Sequence, residues 1–261
     1  LTTGGMNVAL GQGALGGTTT GNYNVAVGRA ALSDNTTADN NTAVGYAALN
    51  ANTTTSNLTA IGYNALKSNT TGTNGVAVGK DALEANTTGH NNVAVGLEAL
   101  QTNTGGSGST AIGTGALALS TASDLTAVGR SALGVNSTGI ENTAVGAYAL
   151  DANTTGQHNT AVGHQALSAN TTAQYNTAVG RNALGSNVTG EYNTAIGMDA
   201  LEANTGSYNT ACGLRALESN TTGTQNSAVG ANALKNNTTG SYNNAFGYKV
   251  LEDNTTASYN C

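Results

Sequence analysis

The chain is built on one short repeat, and this feature constrains its fold more than any other. Glycine recurs 17 residues apart at Gly11, Gly28, Gly45 and Gly62, and the series continues to Gly247 with only two spacings of 16. Counted from the asparagine that opens each repeat, the consensus is N-T-A-V-G-x-x-A-L-x-x-N-T-T-G-x-x. A fixed period of about 20 residues is typical of a solenoid, in which each repeat is one turn that is stable only against its neighbours.

The repeat accounts for all 261 residues and predicts a single array. Residues 7–259 hold fifteen repeats, residues 1–6 match the end of an earlier repeat, and residues 260–261 match the start of a later one. Both ends therefore stop within a repeat, with strand edges and no capping segment, which solenoids avoid. We expect a fragment of a longer fibre, or a subunit that stacks end to end.

The composition of the repeat favours β-structure. Seventeen residues are too few for a helix pair, and glycine at the fifth and fifteenth positions costs about 1 kcal/mol each inside a helix. Asn-Thr-Ala-Val-Gly predicts a short strand, Ala-Leu a second extended piece, and Asn-Thr-Thr-Gly a turn. The predicted fold is an all-β, parallel β-solenoid (β-roll) with one coil per repeat.

The placement of charge indicates which positions are buried. All 22 charged residues lie at the sixth, seventh, tenth, eleventh, sixteenth or seventeenth position, and none lies at the Ala-Val-Gly or Ala-Leu positions. Alanine at the third and leucine at the ninth position are invariant across the fifteen repeats, as stacking at strand spacing requires. The predicted structural core is represented by Val44, Leu49, Val145, Leu150, Val162, Leu167, Val179 and Leu184.

The apolar positions also predict association between chains. Neighbouring side chains of an extended strand point to opposite faces, so Ala144 and Val145 cannot both point inward, nor can Ala149 and Leu150. We expect alanine and glycine to line the coil and valine, isoleucine and leucine to meet neighbouring copies, or the reverse. A short turn has no spare segment to cover its outer face. The pattern thus predicts a parallel homo-oligomer, most simply a trimer.

The composition argues against several functional classes. Charged residues make up 8% of the chain against about 25% in an average soluble domain. The net charge of −6 is thinly spread, so no basic stripe exists for nucleic acid. No run approaches the ~18 apolar residues of a membrane span, which predicts no membrane insertion in this segment. With 4% aromatics and no tryptophan, the chain lacks the material of a conventional enzyme core.

No catalytic, cofactor or metal site is predicted. The segment 11–16 matches G-x-G-x-x-G, but a dinucleotide fingerprint needs a following helix, and the other repeats show this segment to be a drifted copy of Gly-x-x-Ala-Leu. His90, His158 and His164 have no recurring ligand or acid partner. Cys212 and Cys261 stand three repeats apart, roughly 14 Å at strand spacing, which is too far for a disulfide.

Two columns admit more than one interpretation. The asparagine before Thr-Thr predicts a buried hydrogen-bonded ladder, whereas Asn-x-Thr is also a glycosylation acceptor. Most tyrosines precede a strand, as Tyr175, Tyr192 and Tyr208 do, and predict edge packing on the next turn or, alternatively, a row for stacking sugars. The candidate glycosylation residues are Asn35, Asn52, Asn69, Asn86, Asn153, Asn170, Asn220, Asn237 and Asn254.

These residues carry a resemblance to known families. Ala-Val-Gly-Arg-Ser-Ala at residues 127–132 resembles the head repeats of trimeric autotransporter adhesins. The longer repeat at residues 159–175 is similar to the Asn-Thr-Ala-Val-Gly arrays of phage tail fibres and bacterial surface proteins. The resemblance implies a trimeric β-roll on a virion or bacterial cell surface, which supports attachment to a host or surface and contacts a cell-surface glycan or protein receptor.

Three functions follow as hypotheses. The first is the structural fibre segment of a phage tail fibre or bacterial adhesin. The second is a self-assembling extracellular filament, glycosylated on the Asn-Thr-Thr rows. The third is an ice-binding β-solenoid based on threonine ladders, although the adjacent threonines of Thr-Thr point to opposite faces.

Overall fold

A computed structural model describes residues 4–261, so Leu1–Thr3 of the first partial repeat lie outside the described residues. The chain divides into two compact units, Leu1–Arg130 and Ser131–Cys261, which we name the N-terminal half and the C-terminal half. The described residues contain fifteen β-strands of three residues each and no helix. The predicted all-β class is confirmed.

Each strand covers the second to fourth positions of a repeat. The N-terminal half contains β1 to β8, which are Val8–Leu10, Val25–Val27, Thr42–Val44, Thr59–Ile61, Val76–Val78, Val93–Val95, Thr110–Ile112 and Thr126–Val128. The C-terminal half contains β9 to β15, which are Thr143–Val145, Thr160–Val162, Thr177–Val179, Thr194–Ile196, Thr210–Cys212, Ser227–Val229 and Asn244–Phe246.

Within each half, every strand pairs in parallel with the next strand along the chain. The register places residues one repeat apart opposite each other, as with Ala144 and Ala161. The backbone N–H of Thr143 donates to the carbonyl of Asn159 at 2.9 Å, and that of Gly163 donates to Val145 at 2.7 Å. One repeat is therefore one turn of a β-solenoid, as predicted.

The interior of each turn is lined by alanine and leucine. The third-position alanines Ala144 and Ala161 are fully buried, and so are the leucines Leu49, Leu150, Leu167 and Leu184. The predicted alternation places leucine with valine on one face, and the structure separates the two. Leucine points inward together with the preceding alanine, so the strand alternation does not extend to this pair.

The backbone at Ala-Leu explains this difference. Tyr148 and Leu150 have φ values of 59° and 51°, in the left-handed region, and the segment is a turn rather than the predicted second extended piece. A left-handed residue reverses the side-chain direction that an extended strand would give, so neighbouring residues can both face inward. The unfavourable backbone conformation of the leucine is offset by complete burial of its side chain.

The fourth-position residues lie on the outer face of the strand. Val44, Val145 and Val162 are only partly buried, and Val179 is 36% exposed. This face of the sheet is therefore only partly covered by the coil itself.

Replacing Leu167 with alanine is expected to lower the free energy of unfolding by about 2–5 kcal/mol, because a fully buried side chain is lost and the stacked turns cannot collapse around the cavity. Val162→Ala in the same turn is the control, and its partly exposed side chain predicts less than half of that loss. Chemical denaturation followed by circular dichroism measures both. Equal losses would contradict the assignment of leucine, rather than valine, to the interior.

Candidate functional site

The asparagine before Thr-Thr forms a ladder inside the coil. The side-chain Nδ2 of Asn237 donates to Oδ1 of Asn220 at 2.9 Å and to the carbonyl of Gly240 at 2.9 Å. Oδ1 of Asn237 in turn accepts from Nδ2 of Asn254 at 2.8 Å. In these turns each amide therefore binds the amide of the turn before it and closes its own Asn-Thr-Thr turn. The Oδ1 atoms of Asn35, Asn52 and Asn170 have no hydrogen-bond partner, so the ladder is interrupted there.

The same ladder decides how accessible the candidate glycosylation residues are. All of them except Asn254 are at most 2% exposed, namely Asn35, Asn52, Asn69, Asn86, Asn153, Asn170, Asn220 and Asn237. Their Nδ2 atoms, where a glycan would attach, donate to carbonyl or side-chain oxygens inside the coil, as at Asn52 and Asn153. A glycan on these atoms does not fit the folded coil.

A second asparagine ladder, which was not predicted from the sequence, lies at the first position of the repeat. Oδ1 of Asn142 accepts the backbone N–H of Asn159 at 2.9 Å, and its Nδ2 donates to the carbonyl of Gly156 at 2.7 Å. Asn159 repeats both bonds with Asn176 and Ala173. The frequent asparagine at the start of the repeat was the sequence signal for this ladder. A buried amide needs hydrogen-bond partners for both its oxygen and its nitrogen, and a regular repeat supplies them.

The outer face of the strands carries two columns that are open to solvent. In β9 to β12 the second-position residues are Thr143, Thr160, Thr177 and Thr194, paired in register, and each is partly exposed. The fourth-position column beside it is valine or isoleucine, and Ile196 is 42% exposed. Alternating polar and apolar columns thus run along this face of the C-terminal half.

A column of aromatic rings lies at the seventeenth position of the C-terminal half. His158, Tyr175, Tyr192 and Tyr208 stack in order, with ring centroids 4.8, 5.0 and 5.0 Å apart. The rings lie face to face rather than edge on, because strand spacing holds successive side chains about 4.8 Å apart. Ring faces within the row are covered by one another, which leaves edges and hydroxyl groups to solvent and does not suit stacking of sugars.

Three carboxylates, one of them buried, lie close together in the C-terminal half. One carboxylate oxygen from each of Asp199, Glu202 and Glu218 lies within 4.8 Å of the other two. Arg215 Nε lies 3.9 Å from Asp199 and 3.6 Å from Glu218, and Lys235 Nζ lies 3.7 Å from Glu218. Burial, followed by the charges of Asp199 and Glu218, raises the pKa of Glu202 above its ordinary value. Arg215 and Lys235 offset part of this negative charge, so the cluster is an ion-pair network around the buried Asp199.

The histidines and cysteines are dispersed. Nδ1 of His158 lies 3.0 Å from Glu141, His90 contacts Thr73, and the ring of His164 meets Tyr148 edge on. Cys212 and Cys261 are both free thiols. The segment 11–16, which resembles a dinucleotide fingerprint, is a turn with no helix after it.

Comparison with protein-family models, curated proteins and solved structures found no match. Among residues 4–261 the structure has no helix that is able to cross a membrane.

Proposed function

We propose that the chain is a structural fibre segment, of the kind found in phage tail fibres and bacterial surface adhesins, which supports attachment to a host or surface. The observation that carries this proposal is the uniform turn. Within each half, every repeat adds one strand in the same register and the same buried columns. Each repeat therefore adds about 4.8 Å of length without changing the cross-section, which is what a spacer requires.

Attachment is assigned to the variable positions on the outside of the coil. The sixth, seventh, tenth and eleventh positions carry charged and aromatic side chains, for example the stacked Tyr46 and Tyr63 and the exposed Arg181. Substitution there leaves the buried ladders unchanged. A cell-surface glycan or protein is the class of receptor that we propose for these positions.

Inserting one whole repeat tests the spacer role. A second copy of residues 159–175 placed after Tyr175 is expected to fold, because the inserted turn makes the same ladders with both neighbours. Insertion of only residues 159–166 is the control and is expected to destabilise the fold, since it shifts every later column out of register. Denaturation midpoints and electron micrographs measure both variants. Rods of constant width that lengthen with added repeats support the proposal, and rounded particles contradict it.

We also propose that copies associate through the column of valine and isoleucine, most simply as a parallel homotrimer. This column is the apolar surface that the coil leaves partly open, as at Ile61 and Ile196. Burial of such side chains between copies removes apolar area from water at about 25 cal/mol per Å². The fully buried leucines take no part in this interface.

Aspartate at both Val162 and Val179 is expected to convert the oligomer to monomers, because it places charges within an apolar contact. Glu191→Gln, at a partly exposed position outside the column, is the control that leaves the oligomer unchanged. Sedimentation velocity measures the mass of each variant. A wild-type chain that sediments as a monomer at all concentrations would remove the homo-oligomer from the proposal.

Ice binding is the second candidate, and the threonine column of β9 to β12 favours it rather than the Thr-Thr turns. Thr143, Thr160, Thr177 and Thr194 are in register on the outer face of the sheet, so their spacing repeats at about 4.8 Å. Thermal hysteresis distinguishes the two functions. Activity that is lost in Thr160→Lys would favour ice binding over the fibre role.

A further inference from the structure

The tyrosines of this chain are concentrated in stacked neighbours. Besides the row of Tyr175, Tyr192 and Tyr208, two separate pairs stack at centroid distances of 5.1 and 4.9 Å, with ring planes within 12° of parallel. These pairs are Tyr46–Tyr63 and Tyr242–Tyr259. Seven of the ten tyrosines therefore have another tyrosine directly above or below them.

The backbone does not require tyrosine at the seventeenth position. Tyr175, Tyr192 and Tyr208 have φ values of 59°, 57° and 61°, in the left-handed region, where bulky side chains are disfavoured. The same column of the N-terminal half contains asparagine, which tolerates this conformation best after glycine, at Asn40, Asn57, Asn74 and Asn91. The backbone conformation therefore does not explain the tyrosines of the C-terminal half.

The stacked rings are also open to solvent. Tyr175, Tyr192 and Tyr208 are 45%, 46% and 56% exposed, although each touches a ring on at least one side. A soluble oxidant therefore reaches their phenol groups. The turns hold each phenol beside the next, so two oxidised rings meet without diffusion, which gives neighbouring groups a high effective concentration.

We propose that the stacked tyrosines are an oxidative cross-linking site, at which carbon–carbon bonds between rings tie successive turns together covalently. Each of two phenols first loses one electron and its hydroxyl proton. The two phenoxyl radicals then form a bond between the carbons ortho to their oxygens, and each of these carbons transfers its hydrogen to the ring oxygen as a proton. The pair has lost two hydrogen atoms in total, as two protons to water and two electrons to a one-electron oxidant.

The stacking pattern specifies which links form. Tyr192 has a neighbour on both sides but forms a bond with one of them, so the row gives one link and each separate pair gives one. A chain therefore carries up to three links, at Tyr46–Tyr63, at Tyr242–Tyr259, and at Tyr192 with Tyr175 or Tyr208. Tyr23 has no stacked tyrosine in the described residues and serves as the internal reference.

The test oxidises the dilute full chain with a photoexcited ruthenium tris-bipyridyl complex, with persulfate as the final electron acceptor. Dityrosine fluorescence and mass spectrometry of peptides identify the linked residues. The expected result is links within single chains at the stacked positions, each with the loss of two hydrogen atoms. Links only between chains, or links at Tyr23 as frequent as those at Tyr192, would overturn the proposal.

Tyr192→Phe is the decisive variant, because phenylalanine keeps a stacked ring but has no phenol to couple. It is expected to abolish all intramolecular links of Tyr175 and Tyr208, which are two turns apart, and to leave the two separate pairs unchanged. Tyr192→Asn introduces the asparagine that the N-terminal half has at this position of the repeat, and it is expected to cause the same loss of links. Persistence of the two separate pairs reports that each variant is folded, and a Tyr175–Tyr208 link at the wild-type yield of the row would refute the assignment.

Discussion

Replacing Gly79 with alanine is expected to unfold the turns around it, with a loss of at least about 3 kcal/mol in the free energy of unfolding. Gly79 has a φ of 139°, a conformation that residues with a side chain rarely adopt. A Cβ atom there would lie 2.6 Å from the carbonyl carbon of Gly96 in the next turn, and closer still to its oxygen. Chemical denaturation of the variant measures the loss.

The neighbouring turn has no way to move aside from this clash. The N–H of Gly96 donates to the carbonyl of Val78 at 2.8 Å, and the N–H of Gly79 donates to the carbonyl of Ile61 at 2.8 Å. Both glycines therefore take part in the hydrogen bonds that join successive turns. Relief of the clash would separate the turns and break these hydrogen bonds. Invariant glycine at the fifth position is thus explained by the backbone of the next turn.

Gly75→Ala is the matched control, since it lies in the same strand region of the same turn. A Cβ atom at Gly75 would have Leu58 Cδ2 and Leu66 Cδ1 as its nearest neighbours, both at 3.5 Å, which is ordinary van der Waals contact. The change is expected to be neutral or to stabilise by up to about 1 kcal/mol, by restricting the unfolded chain. A similar loss in both variants would show that the glycine at the fifth position is not set by contact between turns.

The length of the turn and the invariant columns were predictable, because stacking requires like residues one repeat apart. The strand at Thr143–Val145 and the burial of Ala144 follow directly from that periodicity. The position of Leu150 was not predictable by alternation, because its left-handed backbone is not encoded by glycine or asparagine at that site. Burial of the leucine selects this conformation against its local preference, which only the packed turn reveals.

The outer columns show the same limit. Tyrosine before the strand was visible in the sequence, but face-to-face stacking depends on the ring orientation that all turns share. The asparagine ladder at the twelfth position was predicted from its constancy, whereas the one at the first position was not. A first-position asparagine donates to a carbonyl in the turn that lies 13 or 14 residues later in the chain, as Asn142 does to Gly156. This hydrogen bond exists only after the coil has closed.

Asn237→Ala is expected to lower the free energy of unfolding by about 2–4 kcal/mol, because a buried acceptor loses its donor and a cavity remains. Nδ2 of Asn237 donates to Oδ1 of Asn220, and the alanine variant leaves this oxygen without that bond inside the coil. The carbonyl of Gly240 keeps the bond from Asn226 at 2.8 Å, so the turn itself retains one support. Urea denaturation followed by circular dichroism measures the change.

Asn236→Ala, one residue earlier, is the control. It removes only a long surface contact of 3.4 Å to Asp253, which predicts a change in the free energy of unfolding within about 0.5 kcal/mol.

Asn237→Asp separates hydrogen bonding from packing, because aspartate keeps the volume of asparagine. An ionised carboxylate has no proton to donate to Asn220, and burial raises its pKa above the ordinary value. A raised pKa predicts that this variant is most stable at low pH, where the protonated acid restores the donor, and loses stability as the pH rises through the pKa in the folded state. A pH-independent loss equal to that of Asn237→Ala would show that the volume of the side chain, and not the ladder, holds the turns together.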